Sequence, residues 1–171
     1  MIGNKTKLLI VDLLLMFLLI AADQITKFLA VVNLRNQEPF VLWEGVFELQ
    51  YLENSGAAFG MLQGKKSFFV LTSIIFLIVI VYVLVRVPNQ KKYTKLHITL
   101  AFIASGAIGN LIDRIRYDYV IDFLYFSLIN FPIFNVADIY VTLSSIVLAA
   151  LLLFVYTESD LEFLFIRSEK S

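Results

Sequence analysis

The chain has 171 residues, 60% of them hydrophobic and only 16% charged, with a mean hydropathy of +0.83. A domain folded in water carries about 45–50% apolar and about 25% charged residues, so this composition excludes an ordinary soluble fold and makes the bilayer the solvent. Lys plus Arg and Asp plus Glu are balanced at 14 each, which argues against a nucleic-acid partner; the lack of cysteine excludes disulfides and a thiolate nucleophile, and the lone histidine, His97, excludes a multi-histidine zinc site.

A span through the hydrocarbon core takes about 20 mostly apolar residues, and four segments qualify. The first is expected over about 8–30, interrupted by Asp12, Asp23 and Lys27. Lys5 and Lys7 precede it as in a signal peptide, but no clear small-x-small cleavage site follows and three further spans do, so it is read as a retained helix. The loop 31–67 is long enough to fold. In it Phe47, Leu49 and Tyr51 alternate with Glu48, Gln50 and Glu53, slipping after Tyr51, which predicts a strand on the membrane surface.

The second span, 68–87, carries Arg86 as its only charge, and a short basic hairpin around Pro88–Lys95 follows. The third, 96–112, is short, contains glycine and ends in polar residues. An aromatic-rich connection, 113–135, is expected to lie in or dip into the interface, with Trp43 and the aromatics of 117–126 as interfacial anchors. The fourth span, 136–156, has Asp138 near its start, and the tail from Thr157, with Phe163–Ile166 between charges, is expected on the cytoplasmic surface. The expected fold is an integral membrane, mainly α, single domain over 1–171, with outer loops 31–67 and 113–135. No internal repeat of the transporter kind is present. Eight of the 14 basic residues (Lys5, Lys7, Arg86, Lys91, Lys92, Lys95, Arg167 and Lys170) fall on one side, which places both termini in the cytoplasm.

In that topology the unusual polar residues gather at the outer end. Asp23 and Lys27 close the first span, Asn110, Asp113 and Arg114 the third, and Asn135 and Asp138 open the fourth, with Asn54 and Asp122 in the outer loops. Charged and amide groups at membrane depth are costly and need a partner or a function. Asn110, Asp113 and Arg114 stand at i, i+3 and i+4 on one helix face, with Asp113 expected to orient Arg114. Gly106 lies four residues before Asn110, where it allows close helix packing. Lys27 is expected to snorkel or pair with a carboxylate, and Asp12 and His97 to lie at the cytoplasmic interface. Gly56 and Gly60 fit either ordinary turns or a substrate-facing backbone.

Asp122 precedes Asp138 by only 16 residues, short enough to bring the carboxylates together. Facing aspartates share one proton, because like charges a few Å apart do not both ionise easily. The ionised member then takes a proton from water while its mate donates to a peptide carbonyl. Asp138, in the first turn of a helix, feels the positive dipole end and is expected to be the more readily ionised. Asn135 and Asp138 also fit an N-cap and its capping acid, which is compatible with a site. An ion-coupled transporter would spread its polar residues through the membrane depth, a Ser55 or Ser67 with Lys27 peptidase has no clear local arrangement, and a scaffold gives no reason for paired carboxylates.

Five stretches carry a family resemblance: DQITK at Asp23–Lys27, NSGAAFG at Asn54–Gly60, GNLIDR at Gly109–Arg114, VIDF at Val120–Phe123 and FNVAD at Phe134–Asp138. Together, and in this order, they resemble bacterial lipoprotein signal peptidase, also called signal peptidase II. The resemblance implies a multi-pass enzyme of the bacterial cytoplasmic membrane with a small extracytoplasmic β-cradle and an active site near the outer face. Asp122 and Asp138 would be its catalytic pair, with no metal or cofactor. Its substrate would be a prolipoprotein signal peptide, cut just before a diacylglyceryl-cysteine. Asp23, Asn54, Asn110, Arg114 and Asn135 match the family's polar positions, and Gly56 sits in the NSGAAFG motif. Membrane lipids are the other expected partner, no nucleic acid is, and the protein is expected to act as a monomer. The signal helix would enter laterally between helices, and the first outer loop would close over the site. One departure is Ser105, where a second glycine beside Gly106 is expected.

Overall fold

The computed structural model describes residues 4–56 and 64–165. Four helices, α1 (Asn4–Leu34), α2 (Lys66–Arg86), α3 (Thr94–Tyr117) and α4 (Val136–Phe154), are each long and apolar enough to cross a membrane. A helix satisfies its backbone hydrogen bonds internally, which lipid does not do for it. At 1.5 Å per residue α1 is about 46 Å long, well beyond the roughly 30 Å hydrocarbon core. Its far end therefore projects past the lipid tails and carries the extramembrane structure.

The helices are not equivalent. In α3, 61% of the most apolar window is buried, against 11–17% in the other three. α3 is the central post, packed against α1, α2 and α4. Shielded from lipid, it tolerates the lowest hydropathy of the four, so the polar residues that seem to end the third span remain helical. The helix stops only at Asp118, in the left-handed region at φ 71°, whose N–H bonds the Arg114 carbonyl.

Without a hydrophobic force between helices, packing in lipid relies on close approach at small residues. Ala101, Ala104, Ser105, Gly106 and Gly109 are all buried on α3. A Cβ on Gly106 would stand 2.5 Å from the Ala137 carbonyl oxygen and 2.7 Å from Val141 Cγ2 of α4. One on Gly109 would collide with the Asp23 carboxylate of α1. Ser105 is fully buried and donates to the Ala101 carbonyl at 2.7 Å, so the departure from glycine fits without an unpaired hydroxyl.

At the far end of α1 lies a three-stranded antiparallel sheet in the order β1 (Phe40–Trp43), β2 (Phe47–Asn54), β3 (Val120–Tyr125). β2 is the strand the alternation predicts, and the slip after Tyr51 matches an irregular register between Leu49 and Leu52. β1 is only four residues long and exposed throughout, so no burial pattern marks it. β3 is buried over Val120–Phe123, and Ala30, Ile121 and Phe123 form a core with Val31, Leu34, Leu49 and Tyr51. That core fastens the sheet to α1. After β3 the chain makes one 3₁₀ turn, Ser127–Ile129, with Leu128 and Ile129 exposed.

At the opposite end Asp12 and His97 are both buried, with Asp12 Oδ2 2.8 Å from His97 Nδ1. Each is the nearest polar partner the other has inside the bundle. The segment Glu158–Leu164 folds back onto this end, held by Tyr93 Oη to the Asp160 carbonyl at 2.8 Å and Tyr156 Oη to the Lys92 carbonyl at 3.0 Å. Ile166, Arg167 and Lys170 lie outside the described residues, as do 57–63, with Gly60, in the loop expected to close.

Candidate active site

Between the sheet and the ends of α3 and α4 is a cavity of about 460 Å³. Asn54, Gly56, Asn110, Arg114, Asp122 and Asp138 form its polar wall, and Phe131, Pro132, Ile133, Ile139 and Leu143 its apolar one. Six of the eight residues singled out from the sequence line it. Asn135 stands directly behind, fully buried, and Asp23 lies deeper still.

Each carboxylate is held by amides. The Asp122 side chain, on β3, accepts from Asn54 Nδ2 at 2.8 Å and from Asn135 Nδ2 at 2.6 Å. Asn54 in turn accepts the Gly56 N–H at 3.0 Å, a local Asx turn that fixes its orientation. Asp138 accepts from Asn110 Nδ2 at 2.8 Å and from the Asn135 backbone N–H at 3.1 Å. The Asn135 side chain accepts the Asp138 N–H at 3.0 Å, completing a capping box that starts α4. Capping and site geometry thus use the same two residues. Asn135 Nδ2 also reaches Asn110 Oδ1 at 3.1 Å, so Asn135 and Asn110 bridge the two aspartates.

Burial, and then the Asp138 charge, push the Asp122 carboxyl up to about 7, against the amide bonds from Asn54 and Asn135 and the more distant Lys27 charge. Asp138 stands in the first turn of α4, where unpaired N–H groups favour negative charge. Arg114 lines the same cavity as both carboxylates, its guanidinium 4.9 Å from the Phe69 ring centroid, with long 3.5 Å contacts to the Gly56 and Asn110 carbonyls.

Beneath this layer is one the sequence reading left incomplete. Of the two roles expected for Lys27 it takes the second, pairing with carboxylates rather than snorkelling. It is 1% exposed and lies 3.0 Å from Asp23 and 2.9 Å from Asp113, with its Nζ also donating to Asn110 Oδ1 at 2.9 Å. Asp113 therefore pairs with Lys27 rather than orienting Arg114, and it accepts the Ile121 N–H of β3 at 3.2 Å. Asp23 accepts the Ala137 N–H at 3.0 Å, tying α1 to the first turn of α4. Gln24 Nε2 bridges Asp23 and Asp113 at 3.1 and 3.0 Å. The sequence signal for this layer was a lysine at membrane depth one helical turn from an aspartate. Among the described residues no group of acids and histidines is arranged to hold a metal ion.

Comparison with known proteins agrees with this architecture. The family described as signal peptidase (SPase) II matches residues 15–154. The chain is 41% identical over 155 residues to a lipoprotein signal peptidase of Enterococcus faecalis, covering 91% of this chain and 92% of that one. It is 39% identical over 155 residues to a lipoprotein signal peptidase of Clostridium tetani, covering 88% and 96% respectively. A bacterial membrane enzyme solved by the in meso method at 1.9 Å superposes with a TM-score of 0.73 at 30% identity, over 85% of this chain and 94% of that one.

Proposed function

The chain belongs to the signal peptidase II family and cleaves signal peptides from prolipoproteins; we propose that it does so as an aspartic endopeptidase, with Asp122 and Asp138 as the catalytic pair. The observation that carries this reading is the pair of carboxylates on one cavity, linked through Asn135 and Asn110. Asp138 begins as the carboxylate and takes a proton from water while the water oxygen bonds to the peptide carbonyl carbon. Asp122, still protonated near neutral pH, donates to the carbonyl oxygen. In the second half Asp138 returns its proton to the amine nitrogen, the C–N bond breaks, and Asp122 recovers its proton from the gem-diol as the new carboxylic acid forms.

The cut falls just before a diacylglyceryl-modified cysteine. The apolar wall of Phe131, Pro132, Ile133, Ile139 and Leu143 accommodates the signal helix and lipid as they enter from the bilayer, while Asn54, Gly56, Asn110 and Arg114 align the scissile segment. Asp23 and Asn135 shape the site from behind. Both termini face the cytoplasm and the site opens near the outer face, a topology supported by the bias of Lys and Arg. One chain supplies every residue of the network, which supports action as a monomer.

The test is cleavage, by purified enzyme in detergent, of two prolipoprotein peptides that differ only in the diacylglyceryl group. Product masses should place the cut immediately before the cysteine, and only the modified peptide should turn over. A cut elsewhere, or equal turnover of both peptides, would count against the substrate assignment.

A further inference from the structure

Resting on the aspartic reading above, we propose that Lys27 is a positioning residue for the reaction: its buried ammonium dictates which way the Asn110 amide faces and so presents an N–H to Asp138. Lys27 does not line the cavity and has no route to substrate. Two carboxylates already surround it at 3.0 and 2.9 Å, from Asp23 and Asp113, yet its Nζ also reaches Asn110 Oδ1 at 2.9 Å. Three acceptors match the three hydrogens of an ammonium.

An amide side chain has a donor end and an acceptor end, and its neighbours decide which way it turns. Two donors, Lys27 Nζ and Asn135 Nδ2, converge on the oxygen of Asn110. Turning the amide over would set its NH₂ against both of them. The same constraint leaves Asn110 Nδ2 on Asp138 Oδ1 at 2.8 Å. A cation on the carbonyl oxygen also polarises the amide and strengthens its N–H as a donor. The chain Lys27–Asn110–Asp138 therefore favours a carboxylate at Asp138, while the amides on Asp122 come from Asn54 and Asn135 alone. The relay reinforces the polarity of the pair: base on α4, acid on β3.

The charged groups around this chain are Asp23 and Lys27 on α1, Asp113 and Arg114 on α3, Asp122 on β3 and Asp138 on α4. In Lys27→Met the Asn110 amide loses one of the two donors that fix its orientation and keeps only Asn135 Nδ2. The acidic limb of the kcat–pH profile should then move up by about one pH unit, with kcat at low pH falling about tenfold and KM little changed. A role confined to holding the helices together would reduce the folded fraction and leave the limb in place. Because Lys27→Met strands two buried carboxylates, Lys27→Met/Asp113→Asn is measured beside it, with Asp113→Asn alone as the reference that retains the ammonium. Asn110→Ser removes the relay, so adding Lys27→Met to it should move the limb no further. A limb unmoved in the folded variants, or a shift undiminished in the Asn110→Ser background, would overturn the proposal. Asp122→Asn and Asp138→Asn in the same assay report separately on the pair itself. If both are inactive while the limb stays put, only the role of Lys27 falls.

Discussion

Burial and a neighbouring charge act on Asp122 in the same direction, and two amide donors act against them. Its carboxyl is pushed up to about 7 from the ordinary 3.8, so it holds its proton below about pH 7 and loses it above. As the acid of the reaction it should produce a basic limb in the kcat–pH profile near neutrality. Asn54→Ala removes a hydrogen bond that favours the ionised form, so that limb should move to higher pH; a limb that moved down would refute the role given to Asn54. At this scale the sequence was informative because polar residues in so apolar a chain are conspicuous. Asp138, Asn110 and Asn135 stood out by their cost at the ends of membrane spans, Asp122 by its short separation from Asp138, and Asn54 by the family motif that holds it. Which acids Lys27 would take did not, because it pairs with Asp23 on its own helix and with Asp113 across to α3, while spacing within one helix favoured Arg114 for Asp113.

The aspartates sit on different elements, so the close approach of those elements decides the site. Gly106 leaves no room for a side chain against Ala137 and Val141. Gly106→Val should push α4 from α3, cost about 1–3 kcal/mol or more as overpacking does, and reduce cleavage, measured as the unfolding midpoint in detergent beside activity. Asp23→Asn keeps the shape but leaves Lys27 with one carboxylate and weakens the bond to the Ala137 N–H. Breaking a buried pair by removing one partner costs about 3–5 kcal/mol, so this variant should be less stable than wild type although Asp23 touches no part of the cavity. An unchanged midpoint would deny Asp23 its place as the tie between α1 and α4. Apolar length made α1, α2 and α4 legible. It cut α3 short because a central helix, screened from lipid, carries polar residues that hydropathy reads as an end. β1 and β3 escaped because one is short and exposed and the other is buried on both faces.

In the whole molecule the buried charged and amide groups lie at one end, except the Asp12–His97 pair at the other. The lipid-facing helices expose apolar side chains along their length, such as Phe17, Leu71, Ile78 and Leu153, while the amides and carboxylates cluster below the sheet. The chain has no native cysteine, so single introduced thiols report topology cleanly. Glu44, in the turn between β1 and β2, and Gln90, in the hairpin between α2 and α3, are both exposed. Glu44→Cys should react with an impermeant maleimide in intact cells and Gln90→Cys only after permeabilisation; the reverse pattern would invert the proposed orientation. The site itself is tested most directly by cleavage of a diacylglyceryl-modified prolipoprotein peptide by the whole enzyme, compared with Asp122→Asn and Asp138→Asn after each is shown to fold. The two-carboxylate mechanism predicts chelator-resistant turnover by wild type and a loss of at least about a thousandfold in either variant. Turnover near the wild-type rate by either variant would contradict it.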